Sequence, residues 1–330
     1  MNTWKNTYFG SCNGFMGFRS YFDKIFDRRL FKKLYILKGG PGTGKSTLMK
    51  SIADFAQNNN LSIDRIYCSS DKDSLDAVII TSGKLRVGIV DGTAPHIVDP
   101  EHPGVVDEII NLGTYWENSA LSGEKEKILA LGYDKKAHYK SAYSYLKLAG
   151  AIYNSRPFKL NKFPKITDIT YGRNNDIKVI SSFSKDGYYR LDSQRFWHKS
   201  VNIIGDVLLA QEYIYDMIIT NYSSRLTLYV SPLDEQLLEG IYNHDTGTIY
   251  LTNLQNADTS ISPSQYTDAD EYYIEKYNEL LYKSKEEFHL ASANHFALEK
   301  LYTHAMDFEK LNILTQELTS KIEYELQDIS

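Results

Sequence analysis

The sequence predicts an α/β protein of two tandem units, the second a degenerate copy of the first that runs into a helical C-terminus. Three observations carry that prediction. A short apolar run, Leu34 to Leu37, leads through a glycine-rich loop into a stretch of helical periodicity from Lys45 to about Ala56. A second apolar run, Lys84 to Val90, closes on Asp91. The strand–turn–helix order of Leu34 to Ile52 then recurs at Val201 to Ile219.

The glycine-rich loop is Gly39-Gly40-Pro41-Gly42-Thr43-Gly44, followed by Lys45-Ser46-Thr47. Gly39-x4-Gly44-Lys45-Ser46 is the P-loop pattern, and a strand before it and a helix after it are the setting that gives the pattern meaning. Gly39, Gly42 and Gly44 have no Cβ, so the backbone can curl and converge its N–H groups on phosphate oxygens. The helix start adds the positive end of a dipole. Lys45 is expected to reach the β- and γ-phosphates and Ser46 to ligate Mg²⁺. Thr47 is expected to contact the α-phosphate, and Gly40, Pro41 and Thr43 complete the cradle. The predicted fold is therefore the P-loop NTPase three-layer α/β/α sandwich, and the predicted ligands are ATP and Mg²⁺.

Taken in order, Gly14 to Phe26 places Phe15, Phe18, Phe22, Ile25 and Phe26 on one helical face, which reads as core. After the P-loop helix, Asn58-Asn59-Asn60 is a turn and Leu61 to Cys68 a strand. Ser69 to Ile79 opens with capping residues and reads as a short helix. The strand that closes on Asp91 fits a Walker B strand, with Asp91 holding Mg²⁺ opposite Ser46. Gly92 follows where many ATP-hydrolysing proteins have Glu, so no base stands next to Asp91. Asp91 to Gly104 is an extended loop with three prolines and two histidines, leaving a strand's carboxyl end, where open α/β sheets place ligands. His96 is carried as a catalytic candidate beside Lys45 and Asp91. Asp99 and Glu101 are candidates for holding water or substrate, against the plainer reading of a structured surface loop.

Ser122 to Tyr153 reads as helix. Leu121-Ser122-Gly123-Glu124 resembles the start of a transporter-ATPase signature but lacks its second Gly and its Gln, and is read as coincidence. Arg156 to Arg173 is basic and proline-interrupted. It reads as a linker, with Arg156, Lys159, Lys162 and Arg173 as alternatives for a phosphate-covering cation. The expected domains are 1–165, carrying the active P-loop, and 166–330, its degenerate copy. In that copy Gly205-Asp206-Val207-Leu208 stands where the P-loop would be, and Asp206 and Glu212 repel a polyphosphate. Gly247 to Leu251 stands at the Walker B strand and ends on Thr252 instead of Asp. The long stretch from about Ala269 to Leu326 reads as helix. Its His289, His295 and His304 do not share a face at metal-ligand spacing, and His295 falls on the inner stripe.

Composition bounds the rest. At 330 residues the chain has room for two domains, and 42% apolar content supplies a core. Cys12 and Cys68 are far apart and outside any CxxC, which points to a reducing compartment. No apolar leader and no membrane-length apolar stretch is present, so a soluble cytoplasmic protein is expected. The net charge of −5 divides into +8 over residues 1–165 and −13 over 166–330. The two halves neutralising one another is the first reading of that asymmetry; a polyanionic partner for the basic half is the second. The 26 tyrosines form no stacking motif of a single-strand nucleic-acid binder.

With these residues in view, the chain resembles a family of bacterial tandem P-loop ATPases of unassigned physiological role. The residues that carry the resemblance are Gly17-Phe18, Leu37 to Met49, Cys68 to Asp76, Val90 to His96 and Ala305 to Phe308. Some members keep a P-loop in the second half, and this chain departs from them there. The resemblance implies the fold and nucleotide binding, and no particular reaction. The function expected is Mg²⁺-dependent ATP hydrolysis. Transfer of the γ-phosphoryl to a small molecule or nucleotide is the alternative, and an ATP-operated binding switch with a protein partner the third. An Asn-Lys-x-Asp guanine motif is absent, the nearest match being Asn161-Lys162-Phe163-Pro164, so ATP is favoured over GTP.

Overall fold

The computed structural model describes residues 6–155, 175–191, 198–262 and 271–327. Two compact units are distinguished: one takes residues up to 11, 19–142 and 286 onward; the other takes 12–18 and 143–285. The expected domain boundary at 165/166, and the basic segment from Arg156 to Arg173, lie outside the described residues.

In the first unit, strands β1 (Asn6–Phe9), β4 (Lys33–Lys38), β5 (Ser62–Tyr67), β6 (Leu75–Ser82), β7 (Leu85–Asp91) and β8 (Asp107–Asn111) form one sheet. Its order is β1-β5-β6-β7-β4-β8. β1 with β5, β7 with β4 and β4 with β8 are parallel; β5 with β6 and β6 with β7 are antiparallel. β2 (Ser11–Gly14) and β3 (Gly17–Ser20), whose residues 12–18 belong to the second unit, make a separate two-stranded ribbon. β4 is apolar without alternation because it is a central strand covered on both faces. Leu34, Tyr35, Ile36 and Leu37 are all essentially inaccessible. Helix α2 (Lys45–Asn58) turns Leu48, Met49, Ile52, Ala53 and Ala56 inward, onto a cluster that also holds Val78, Ile80 and Ile89 of the sheet. Leu311, Leu318 and Ile322 of the last helix close the same cluster.

Two expected helices are corrected. Gly14 to Phe26 is not one helix but the end of β2, β3 and the single-turn α1 (Phe22–Ile25). Gly17 turns the ribbon at φ 89°, a left-handed conformation that breaks a helix. The aromatic residues serve different cores: Phe15 packs on Tyr153 and Phe183 in the second unit, and Phe22 on Phe26 in the first. Ser69 to Ile79 is likewise no helix. The Cys68 N–H bonds the Ser74 carbonyl and the Ser74 N–H the Asp71 carbonyl, so the capping residues close a turn. The chain from Leu75 then enters β6, where the Ala77–Ile80 stretch is paired on both sides.

In the second unit, β9 (Asp176–Lys178), β12 (Lys199–Ile203), β13 (Leu226–Val230), β14 (Leu238–Asn243), β15 (Thr248–Thr252) and β16 (Thr259–Ile261) form a sheet. Its order is β16-β12-β15-β14-β13-β9. β10 (Ser181–Ser184) and β11 (Gly187–Arg190) make a ribbon. Read from β8 and from β16, the two sheets have the same strand order and the same sequence of parallel and antiparallel pairings. Thr252 pairs with Ile203 at the last rung of β12–β15, as Asp91 pairs with Leu37 at the last rung of β4–β7. The strand–turn–helix order of Leu34–Ile52 recurs at Val201–Ile219 with a shorter turn. Only residues 204–206 join β12 to the following helix, where 39–44 join β4 to α2.

α3 (Asn118–Gly123) and α4 (Lys125–Ser155) cover the helical region expected from Ser122. The helix after β12 is α5 (Val207–Thr220). The C-terminal stretch is two helices, α6 (Glu271–His304) and α7 (Phe308–Glu325), with Asp307 capping the second by accepting from the Lys310 N–H. Among the described residues no helix is long and apolar enough to cross a membrane.

Glu239 is fully buried in the second unit, accepting from Ser181 Oγ at 2.7 Å and from Tyr188 Oη at 2.8 Å. Burial raises its carboxyl above the usual range, against the opposing pull of Arg190. The folded state therefore keeps a proton that the unfolded chain gives up, and stability falls as pH rises above the ordinary Glu range. Thermal melts from pH 5 to 8 should show Glu239→Gln losing less stability over that interval than the wild type.

Candidate functional site

The loop after β4 keeps its shape through two glycines in left-handed backbone, Gly42 at φ 71° and Gly44 at φ 77°. Neither position has room for a side chain. A Cβ on Gly42 would lie 2.5 Å from the Glu299 carbonyl oxygen, and one on Gly44 2.5 Å from Leu311 Cδ2. Thr43 Oγ1 donates to the Gly40 carbonyl at 2.9 Å and ties the loop across its middle. Pro41 is half-buried and Thr47 is exposed on the first turn of α2. Gly44 caps α2 with no side-chain acceptor, so no carboxylate or hydroxyl of the cap occupies the helix N-terminus. In α5 of the second unit the corresponding place is filled: Asp206 accepts from the Leu208 N–H at 2.8 Å.

Lys45 curls back into the loop. Its Nζ donates to the Gly39 carbonyl at 2.6 Å and the Gly40 carbonyl at 2.7 Å, and lies 3.5 Å from Asp91 Oδ2. The pairing of β4 with β7 brings this about, because it sets Asp91 beside Leu37 at the edge from which the loop departs. Asp91 Oδ1 accepts from the Thr93 N–H at 2.9 Å and contacts the Thr93 hydroxyl, which also lies 3.0 Å from the Gly39 carbonyl. Ser46 Oγ accepts from the Leu75 N–H at 2.9 Å, so α2 is pinned to the head of β6 at the residue before Asp76. The structure thus gathers Lys45, Ser46, Asp91 and the loop on one edge of the sheet.

His96 is at the same edge and 7% exposed. Its ring stacks on Phe22, centroids 4.5 Å apart and planes within 7°. Burial lowers its basicity below the ordinary histidine range, and both ring nitrogens lack a hydrogen-bond partner. Asp76, 5% exposed, stands opposite with Oδ2 3.8 Å from His96 Nε2. That oxygen is also without a hydrogen-bond partner. Burial, then the neighbouring Asp91 charge, raises the Asp76 carboxyl well above its usual range. A helix over Ser69 to Ile79 gives Asp76 no site role, and the strand in its place puts it at this edge. The available signal was a carboxylate just inside the head of an apolar run, Leu75-Asp76-Ala77-Val78-Ile79-Ile80.

Asp99 and Glu101, candidates for holding water or substrate, are each tied by an ion pair on the surface. Asp99 Oδ1 accepts from Lys38 Nζ at 2.7 Å, and Lys38 also donates to the carbonyls of Gly92 and Val98. Glu101 is 3.4 Å from Arg28. Both fasten the segment that follows Asp91. His295 is half-buried, with its side chain 40% exposed and 3.5 Å from Glu299, the packing histidine that its place on the inner stripe implies. Among the described residues no cluster of three or more His, Cys, Asp or Glu is arranged to hold a metal ion. A cleft of about 270 Å³, lined by Trp116, Met306 and Lys310 among others, opens beside the loop, with Trp116 against Gly40.

A family model described as Nephrocystin 3, N-terminal, matches residues 10–81, the segment that contains β4, the glycine-rich loop and α2. No curated protein and no solved structure matches the chain.

Proposed function

We propose that the first unit binds ATP with Mg²⁺ and hydrolyses it. The observation that carries this reading is the convergence of Lys45 and Asp91 on a loop whose left-handed glycines lead into an uncapped helix N-terminus. The backbone N–H groups of Gly39 to Gly44 and the Lys45 ammonium would hold the phosphates. Ser46 and Asp91 would hold Mg²⁺, whose charge, when bound, offsets that developing on the phosphoryl oxygens. The residues suit a hard cation, since both supply oxygen. The cleft at Trp116 would receive the base.

On this reading the chain is a tandem pseudo-repeat of the P-loop three-layer fold, as in the bacterial family it resembles. The matching order of the two sheets supports that. The domains counted from sequence, 1–165 and 166–330, are then the working and the degenerate copy. The second has lost its phosphate site for a physical reason: its loop is three residues shorter, and the Asp206 carboxylate already satisfies the helix start that a phosphate would need. A cytoplasmic setting goes with two free cysteines, one buried and one half-buried.

Calorimetric titration of MgATP and MgGTP, with phosphate release followed in the same samples, tests the reading. Binding and release are expected with ATP. Asp91→Asn should raise the Mg²⁺ concentration needed for half-maximal release and lower its ceiling by about 10²-fold. Absence of MgATP binding by the wild type overturns the proposal.

A further inference from the structure

The sequence offers no base beside Asp91, since Gly92 follows it. The fold supplies a candidate from two distant segments. Three buried polar atoms, Asp76 Oδ2, His96 Nδ1 and His96 Nε2, have no hydrogen-bond partner. Buried side-chain polar atoms are usually hydrogen-bonded, so an unpartnered pair facing one another calls for an explanation. The 3.8 Å between Asp76 Oδ2 and His96 Nε2 is too long for a direct hydrogen bond, the kind of separation at which a shared water is to be sought. Neither group is free to turn away. Phe22 holds the imidazole plane by stacking, and Asp76 is fixed by its place in β6, paired on both sides. Asp76 directly follows Leu75, whose N–H is on Ser46, and its strand runs antiparallel to the one that ends in Asp91. Both groups lie within electrostatic reach of Lys45 and Asp91.

We propose that Asp76 and His96 together hold the water that attacks the γ-phosphoryl group, with His96 accepting its proton. The inference rests on the ATPase reading above. In the step, the water oxygen bonds to the γ-phosphorus as the bond from that phosphorus to the β–γ bridging oxygen breaks, and the bonding pair leaves with ADP. One water proton passes to a ring nitrogen of His96. The other stays on the transferred group, which departs as hydrogen phosphate, and His96 then returns its proton to solvent. Burial keeps the imidazole neutral before the step, the form that accepts a proton.

The test uses the full chain and compares its affinity for MgADP with that for MgADP plus aluminium fluoride, which mimics the transferring phosphoryl group with its in-line water. The wild type should gain at least tenfold in affinity from the fluoride. Asp76→Asn and His96→Asn should each bind MgADP within threefold of the wild type and lose that gain, and the double variant should be no worse than either alone. His96→Asn, in a loop rather than a strand, keeps the test open if Asp76→Asn fails to fold. A wild type that binds MgADP but gains nothing, or variants that keep the gain, overturn the water-holding pair and leave nucleotide binding standing. A wild type that does not bind MgADP overturns both.

Discussion

Lys45→Ala should lower phosphate release from ATP by about 10²–10³-fold and weaken MgATP binding in the same titration, without unfolding the protein. The chemical reason is that Lys45 is the cation inside the loop. Its side chain is 12% exposed and its ammonium sits between the Gly39 and Gly40 carbonyls and Asp91. The Lys50 ammonium is committed elsewhere, to the Asp73 carbonyl. The fold should survive, because the groups left behind are not stranded. Asp91 keeps its bonds from Thr93, and Thr43 still ties Gly40. Calorimetry, phosphate release and a thermal melt on one preparation decide it. Unchanged release with an unchanged melting temperature would move the site away from this loop.

Asp107→Ala should cost about 3–5 kcal/mol of stability. Arg28 and Asp107 are both buried, with 5% and 0% of their side chains exposed, and Arg28 Nε donates to Asp107 Oδ1 at 3.0 Å. The second carboxylate oxygen accepts from the N–H groups of Glu101 at 2.9 Å and His102 at 2.7 Å. Truncation therefore leaves the buried guanidinium with only the 62% exposed Glu101 carboxylate, 3.4 Å away, as counter-charge, and two backbone donors without an acceptor. The same bonds fix the segment that carries His96, so turnover should fall with stability. Asp99→Ala is the contrast. Its carboxylate is 70% exposed on Lys38, and removal should cost about 0–1 kcal/mol. Denaturant unfolding of the two variants side by side separates them, and equal losses would contradict the burial argument.

The sequence by itself determined what depends on neighbours along the chain. The strand at Leu34–Leu37, the loop, the start of α2 and the strand that closes on Asp91 are local patterns of apolar run, glycine and charge, and they stand where those patterns place them. The strand–turn–helix order at Val201–Ile219 was legible for the same reason. Tertiary structure decided what depends on pairing across the chain. Ser69 to Ile79 carries helix-start residues and β-branched residues together. Only the partners on both sides of β6 settled it as strand, and with it the position of Asp76. Gly14 to Phe26 has a helical spacing of aromatics that belong to separate cores. Asp99, Glu101 and Asp107 are all carboxylates within nine positions, yet burial makes one a structural anchor and leaves the others as surface ties. The Asp76–His96 pair joins residues twenty positions apart, and no local pattern encodes a distance of 3.8 Å between them. Local propensity fixes elements; desolvation and strand register, which exist only in the folded chain, fix which polar groups meet.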